Sequence, residues 1–227
     1  MTYLIVVAHP DDEVLGAGGT IHSLSRRGEE VNVCILSGEV KVRNHRPSDE
    51  DLNEDLSAAM EILGVNKVFT GEFPNIEFNN VPHLKLVQYI EEVIQGCKAD
   101  VILTHHPSDL NNDHLHTSLA CQAAVRLFQR KEDVVPIKEF LFMEINSSTD
   151  WAINNSFNQF RANAFNEIGK DGLKAKLDAL SKYRGVMRPY PHPRSEESIE
   201  GLAAYRGSQV GLKYAEAFET VFKRNQL

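Results

Sequence analysis

Short apolar runs alternate with longer amphipathic stretches along the chain, regularly as far as about Asn146. Tyr3 to Ala8 is an apolar run closed by a Pro-containing turn, the pattern of a strand buried on both faces of a parallel sheet. Val31 to Leu36, Lys67 to Thr70, Asp100 to Thr104 and Ile137 to Ile145 repeat it. Helical signals fill the gaps. Val14 to Arg27 sets Leu15, Ile21 and Leu24 among small residues and stops at Gly28. Ser48 can cap a helix running to about Leu63, with Gly64 as its C-terminal stop. Pro82 suits the start of a helix ending near Gly96, and His114 to Arg130 is a fourth. Strands alternating with helices predict a doubly wound, mostly parallel α/β sheet with right-handed crossovers. Beyond Asn146 the pattern weakens. Phe157 to Ile168 reads as extended, Gly172 to Arg184 as helical, and Ser195 to Lys223 as holding one more helix. With no internal repeat, 227 residues fit one domain, 1–227, whose part after about 146 completes the site walls.

The polar stretches Gly38 to Ser48, Gly71 to Asn80 and Arg184 to Ser195 are predicted loops. Two of them follow strand ends directly, and ligands of open α/β sheets bind at the carboxyl ends of strands. Charge narrows the choice of ligand. There are 24 Lys and Arg against 32 Asp and Glu, a net charge of -8, which excludes nucleic-acid backbone binding as the main task. Asp49, Glu50, Asp51, Glu54 and Asp55 form the densest acidic run and read as a solvated first helical turn. Three cysteines, Cys34, Cys97 and Cys121, make no CxxC pair and no disulfide framework. No apolar run approaches the roughly 20 residues of a membrane span. The opening MTYLIVVAHPDDE lacks a basic start and a long apolar stretch. These features predict a soluble, cytoplasmic protein.

The candidate chemistry sits at the strand ends. His9-Pro10-Asp11-Asp12-Glu13 follows the first strand without a gap. Clustered acids at such a place repel one another and lose hydration, and a divalent cation offsets both costs. His9 and Asp12, three residues apart across a turn, can converge on one metal, with Asp11 between them. Gly16, Gly18 and Gly19 lack the spacing and position of a dinucleotide-binding loop and read as close packing of helix on sheet. A second cluster, His105, His106, Asp109, Asp113, His114 and His116, follows the fourth strand and so lies at the same sheet edge. Catalytic zinc takes three N and O ligands and keeps one position open. His9, Asp12 and one histidine of the second cluster would complete that set. His114 and His116 both begin the helix, and chemistry alone leaves the choice between them open. Asp113 reads as the helix N-cap or as a partner orienting a ligand imidazole.

AHPDDEVLGAGGT together with DLNNDHLHT resembles the PIG-L / LmbE-like zinc-dependent de-N-acetylases, and the ending RGSQVGLKYAEAFE is similar too. The resemblance implies a Rossmann-like three-layer sandwich. It implies Zn2+ on His9, Asp12 and His114, with Asp11 as general base, and removal of an N-acetyl group from an amino sugar or N-acetylglucosamine-containing conjugate. In many members a second histidine stands three residues before the last ligand. Asn111 occupies that place here, able to donate a hydrogen bond to an oxyanion but unable to transfer a proton near neutral pH. His192, in a proline-rich loop between Arg188 and Arg194, is the first candidate for the missing acid, and a proton shuttled by Asp11 is the alternative. Arg43 and Arg194 are candidate substrate contacts. Phe73, Asn75, Trp151 and Tyr190 are candidate surfaces for a sugar ring. The expected partner is a small amino sugar, with a homo-oligomer possible. A metal-dependent phosphoesterase using Asp109 and Asp113 as bridging carboxylates, and a non-catalytic Rossmann-like binding module, are the competing readings.

Overall fold

The computed structural model describes residues 1–38, 48–153 and 158–225. Its strands are β1 (Thr2–Val7), β2 (Glu30–Ile35), β3 (Lys67–Thr70), β4 (Val101–His105), β5 (Glu139–Met143), β6 (Ala164–Glu167) and β7 (Ala215–Lys223). The helices are α1 (Asp12–Arg26), α2 (Asp49–Leu63), α3 (His83–Cys97), α4 (Asn112–Ala124), α5 (Gly169–Leu180) and α6 (Glu196–Ser208). They form one seven-stranded sheet in the order β3-β2-β1-β4-β5-β7-β6. It is parallel from β3 to β5, and β7 pairs antiparallel with both β5 and β6.

The two-residue period of β1 builds both halves of the core. Ile5 and Val7 face the layer of α1, α2, α5 and α6, whereas Leu4, Val6 and Ala8 face α3 and α4. The predicted mostly parallel α/β sandwich is therefore the observed one. Strand order reverses between β1 and β4, because the chain goes from β1 out to β3 and then returns to β1's other side. A crevice opens at the carboxyl ends of strands at such a reversal, and both His/Asp clusters begin there.

Local signals held where the determinants were local. Ser48 and Asp51 form a reciprocal capping box at α2, and Gly64 ends that helix in the left-handed conformation at φ 74°. Gly16 lets α1 lie on the sheet, since a Cβ there would stand 2.5 Å from Met143 Sδ. Gly18 and Gly19 instead admit Lys176 and Ile168, so they serve helix α5 more than the sheet. Cys34, Cys97 and Cys121 are buried and free.

Three readings are corrected. The helix expected from His114 to Arg130 runs from Asn112 to Ala124 and gives way to a 3₁₀ turn at Leu127–Gln129. Ser195 to Lys223 holds the predicted helix and also β7, which inserts between β5 and β6. The acidic turn of α2 is more than a solvated surface. Asp55 is buried and accepts the backbone N–H of Arg184, while the Arg184 side chain reaches Asp51, Glu54 and Asp55. This anchors the start of the loop that leads to Arg194.

Candidate active site and metal centre

The turn after β1 folds into α1 with little slack. Asp11 is the N-cap, in the left-handed region at φ 105° and ψ -28°. Few residues other than Gly, Asn and Asp enter that region. Two contacts fix it there. Its backbone N–H donates to Glu13 Oε2 at 3.1 Å, and the other Glu13 oxygen accepts from the Tyr183 hydroxyl at 2.5 Å. Glu13 is fully buried, and burial pushes its carboxyl up to about 8 despite the Tyr183 bond.

His9, Asp12 and His114 come together at the crevice, all buried, with one potential ligand atom each inside a 4.8 Å span. Asp12 Oδ2 lies 3.3 Å from His9 Nδ1 and 3.1 Å from His114 Nε2. The far nitrogen of each imidazole meets another carboxylate, His9 Nε2 to Asp113 at 2.9 Å and His114 Nδ1 to Asp109 at 2.9 Å. Those outer carboxylates fix which nitrogen faces inward, the usual support of a metal-binding histidine. Asp113 also accepts the N–H groups of Ile76 and Phe78, tying the loop after β3 to the site wall. Ser148 Oγ lies 3.3 Å from His114 Nδ1, and Thr149 Oγ1 donates to Asp109 at 3.3 Å.

Electrostatics agree with the geometry. Burial alone would lower the His114 pKa, but the carboxylates of Asp12 and Asp109 raise it to about 10. Burial likewise opposes the charge on His9, and Asp113 and Asp12 outweigh it, so its pKa rises. Burial would raise Asp12, yet the imidazoles of His114, His9 and His105 hold it well below the usual carboxylate range. The centre therefore demands positive charge beside Asp12. Two imidazole nitrogens and one carboxylate oxygen, with both imidazoles oriented from behind, suit a catalytic zinc, so the donor set fits the ion.

The other histidines of the second cluster are placed differently. His105 Nε2 accepts the Ala8 N–H at 2.9 Å, and its ring stacks on His114 at 3.9 Å. Burial depresses its pKa well below the ordinary value. His105, Asp109 and His114 also lie close enough to form a metal-sized group, but His114 Nδ1 is already bonded to Asp109. His106 is wedged edge-on between Phe142 and Phe160 and bonded to Ser108. Of the two readings for Asp113, the partner to an imidazole is the observed one. The N-cap of α4 is Asn111, whose side-chain oxygen accepts the Asp113 N–H at 2.9 Å.

Arg194 is brought onto Asp11. Its Nη1 donates to Asp11 Oδ2 at 3.0 Å and its Nε donates to Ser147 Oγ at 2.7 Å. His192 lies in the same loop. Its Nδ1 accepts the Arg194 N–H at 3.0 Å, and Trp151 meets its ring edge-on at 5.7 Å. Partial burial and the nearby Arg194 and Arg188 lower its pKa. Phe73 packs against Phe78 and Tyr89, and Asn75 is buried, so neither offers an open sugar platform. Trp151 and Tyr190 are exposed. Arg43 lies outside the described residues. Sequence reasoning missed the roles of Ser147, Ser148 and Thr149, for which the only signal was position after β5 at the sheet's carboxyl edge.

A family model described as PIG-L, GlcNAc-PI de-N-acetylase, matches residues 4–125, more than half of the chain and all of the His9, Asp12 and His114 cluster. The chain belongs to this family. A diacetylchitobiose deacetylase of Thermococcus kodakarensis is 24% identical over 96% of this chain and 82% of its own. Two solved structures share the fold of this PIG-L family chain. One is an N,N'-diacetylchitobiose deacetylase from Pyrococcus horikoshii with TM-score 0.77, 19% identity and coverage of 97% and 83%. The other is a 4-carboxy-2-hydroxymuconate hydratase from Pseudomonas putida with TM-score 0.78, 21% identity and coverage of 100% and 98%. The family match ends before Arg194, so the residue seated on Asp11 comes from the part of the chain beyond it.

Proposed function

We propose that this chain is a zinc-dependent deacetylase that removes the N-acetyl group from an amino sugar or N-acetylglucosamine-containing conjugate. The observation that carries this reading is the convergence of His9, Asp12 and His114 beside Asp11, in a chain of the PIG-L family. Zinc held by those three residues would polarise the amide carbonyl and acidify water at neutral pH. Asp11 takes the proton of the attacking water, held for that task by Arg194 on its Oδ2 and Glu13 on its N–H. The same carboxyl then returns the proton to the departing amine. His192 is less suited to that step, because its Nδ1 accepts a backbone N–H and neighbouring arginines disfavour its charged form. Asn111 spends its side-chain oxygen on the helix cap, which leaves its amide end as the donor toward an oxyanion. A phosphoesterase reading is disfavoured because Asp109 and Asp113, its needed bridging carboxylates, are each bonded to a histidine.

Acetate release by the zinc-loaded chain, measured over a panel of N-acetylated amino sugars and their conjugates, tests the proposal. Acetate and free amine in equal amounts are expected. A zinc-loaded sample that releases none across the panel overturns it.

Metal loading should also be linked to protons. Without metal, His114 keeps its proton up to about pH 10, and the raised His9 follows the same direction. Zinc must displace those protons, so binding at pH 7 should release roughly one to two per ion. Calorimetry in buffers of different ionisation enthalpy reads that number, and apparent affinity should climb with pH toward about 10. The same shift means that metal-free stability from the His114 pair is complete below 6.5 and fades as pH rises through about 10.

A further inference from the structure

We infer that Ser147, Ser148 and Thr149 act as one brace that sets the general base Asp11 against the metal ligand His114, with Ser147 and Thr149 as positioning residues at its two ends. This inference rests on the deacetylase reading above. Asp11 enters the crevice at the start of α1, and His114 enters it from the start of α4. A water between them reacts only when both are in register, and a misplacement of about 1 Å can cost about 10²-fold in rate. The turn after β5 touches both sides. At one end Ser147 Oγ accepts from Arg194 Nε at 2.7 Å, and Arg194 Nη1 donates to Asp11 Oδ2 at 3.0 Å. One planar guanidinium therefore ties the turn to the base. At the other end Thr149 Oγ1 donates to Asp109 Oδ2 at 3.3 Å, the same oxygen that meets His114 Nδ1 at 2.9 Å. Ser148 Oγ, between the two, lies 3.3 Å from that His114 nitrogen.

The turn is bonded internally, so it can transmit position. Thr149 Oγ1 accepts the Ile145 N–H at 2.8 Å, and Ile145 O accepts the N–H groups of both Ser148 and Thr149. Asp150 Oδ1 also accepts the Ser148 N–H, at 2.9 Å. Ser147 sits in the left-handed region at φ 67°. Gly enters that region freely and most other residues seldom do. A turn that served only as a connection would be better built with Gly, so the Ser147 hydroxyl is the feature held there against the backbone preference. Strain of this kind gathers at functional sites, where surrounding contacts enforce it. Asp11, Ile76 and Ser147 are three of the five non-glycine residues with positive φ among the described residues, and all three stand at this site. Each is held by a contact of the site: Asp11 by Glu13, Ile76 by Asp113 and Ser147 by Arg194. The brace lies beyond residues 4–125, the part that matches the family model.

Substitutions at residue 147 separate positioning from a merely structural role, because hydroxyl and backbone strain are removed or kept independently. Ser147→Gly removes both. The zinc-loaded full chain carrying it should melt at or above the wild-type temperature. Its kcat for acetate release from an N-acetylated amino sugar should nevertheless fall by about tenfold or more, with KM within about twofold. Ser147→Thr keeps the hydroxyl and puts a β-branched residue at φ 67°. Its Tm should fall, while its kcat falls less than that of Ser147→Gly. The Arg194 Nε–H resonance, read by NMR without substrate, should lose its hydrogen-bonded shift in Ser147→Gly and keep it in Ser147→Thr. At the other end, Thr149→Val should weaken zinc binding by about tenfold, the lower end of the range for partners that orient a ligand. Competition with a chelator reads that affinity, and Thr149→Ser should restore it. Acetate release with kcat unchanged in Ser147→Gly, or with kcat following Tm across the 147 variants, overturns the brace and leaves the deacetylase reading. A zinc affinity unmoved by Thr149→Val detaches the turn from the metal ligand and likewise overturns the brace. No acetate from any amino-sugar substrate, with the Arg194 resonance and the zinc affinity moving as expected, overturns the deacetylase reading and leaves the brace.

Discussion

Asp11→Asn is expected to lower kcat for acetate release by about 10²–10⁴-fold, the range assigned to a positioned general base, with zinc content at the wild-type level. The substitution isolates proton transfer because it disturbs little else. Asn tolerates the left-handed backbone at φ 105° nearly as well as Asp. Its side-chain oxygen still accepts from Arg194 Nη1, and its N–H still reaches Glu13. What disappears is the basic oxygen. His9, Asp12 and His114 are untouched, so metal analysis should return the same stoichiometry. Asp11→Ala is a less clean probe, since it adds backbone strain and strands the Arg194 guanidinium. A variant Asp11→Asn that retains near wild-type turnover would remove Asp11 from the proton path and return the role to another group of the crevice.

The legible part of the fold was the part encoded locally. Ser48, Gly64 and Pro82 mark helix ends through their own backbone preferences, and Lys67–Thr70 is bounded by turns on both sides. His9, Asp11 and Asp12 were legible for the same reason, being contiguous and placed after a strand whose burial the apolar run announces. Deciding His114 over His116 needed the family resemblance, because both open the same helix. The remainder depends on contacts across the chain. Arg194 meets Asp11 across 183 positions, and no local pattern carries that pairing. Asn111 as N-cap displaced Asp113 from that role, since two residues of register decide which side chain caps and which turns inward to His9. β7 was missed largely because Glu216 interrupts its buried half, and a glutamate there reads as a surface residue until its partner is known.

That partner supplies the second large effect expected, on stability. Lys176→Met should destabilise the chain by about 3–5 kcal/mol, the cost of leaving one member of a buried ion pair alone, which is roughly 6–20 °C in Tm for a chain of this size. Lys176 and Glu216 are 5% and 6% exposed, and Nζ lies 2.7 Å from Glu216 Oε1. The pair bridges a break in α1. Ala17 leaves helical geometry at φ -145° and ψ 15°. An unbroken helix would pair the Gly19 N–H with the Leu15 C=O. Here Gly19 and Thr20 N–H donate to the two oxygens of Glu216, and Leu15 O accepts from Lys176 Nζ at 2.8 Å. The ion pair thus satisfies the backbone groups that the kink would leave buried without partners. Glu216→Gln should also destabilise, because an amide keeps one acceptor oxygen where two N–H groups need one each. The kink lies one helical turn beyond Asp12, so either variant should loosen the metal-facing turn as well as lower Tm. Thermal melts with and without zinc separate the two effects. A Tm for Lys176→Met within about 1 °C of wild type would show that water satisfies these groups as well as the pair does.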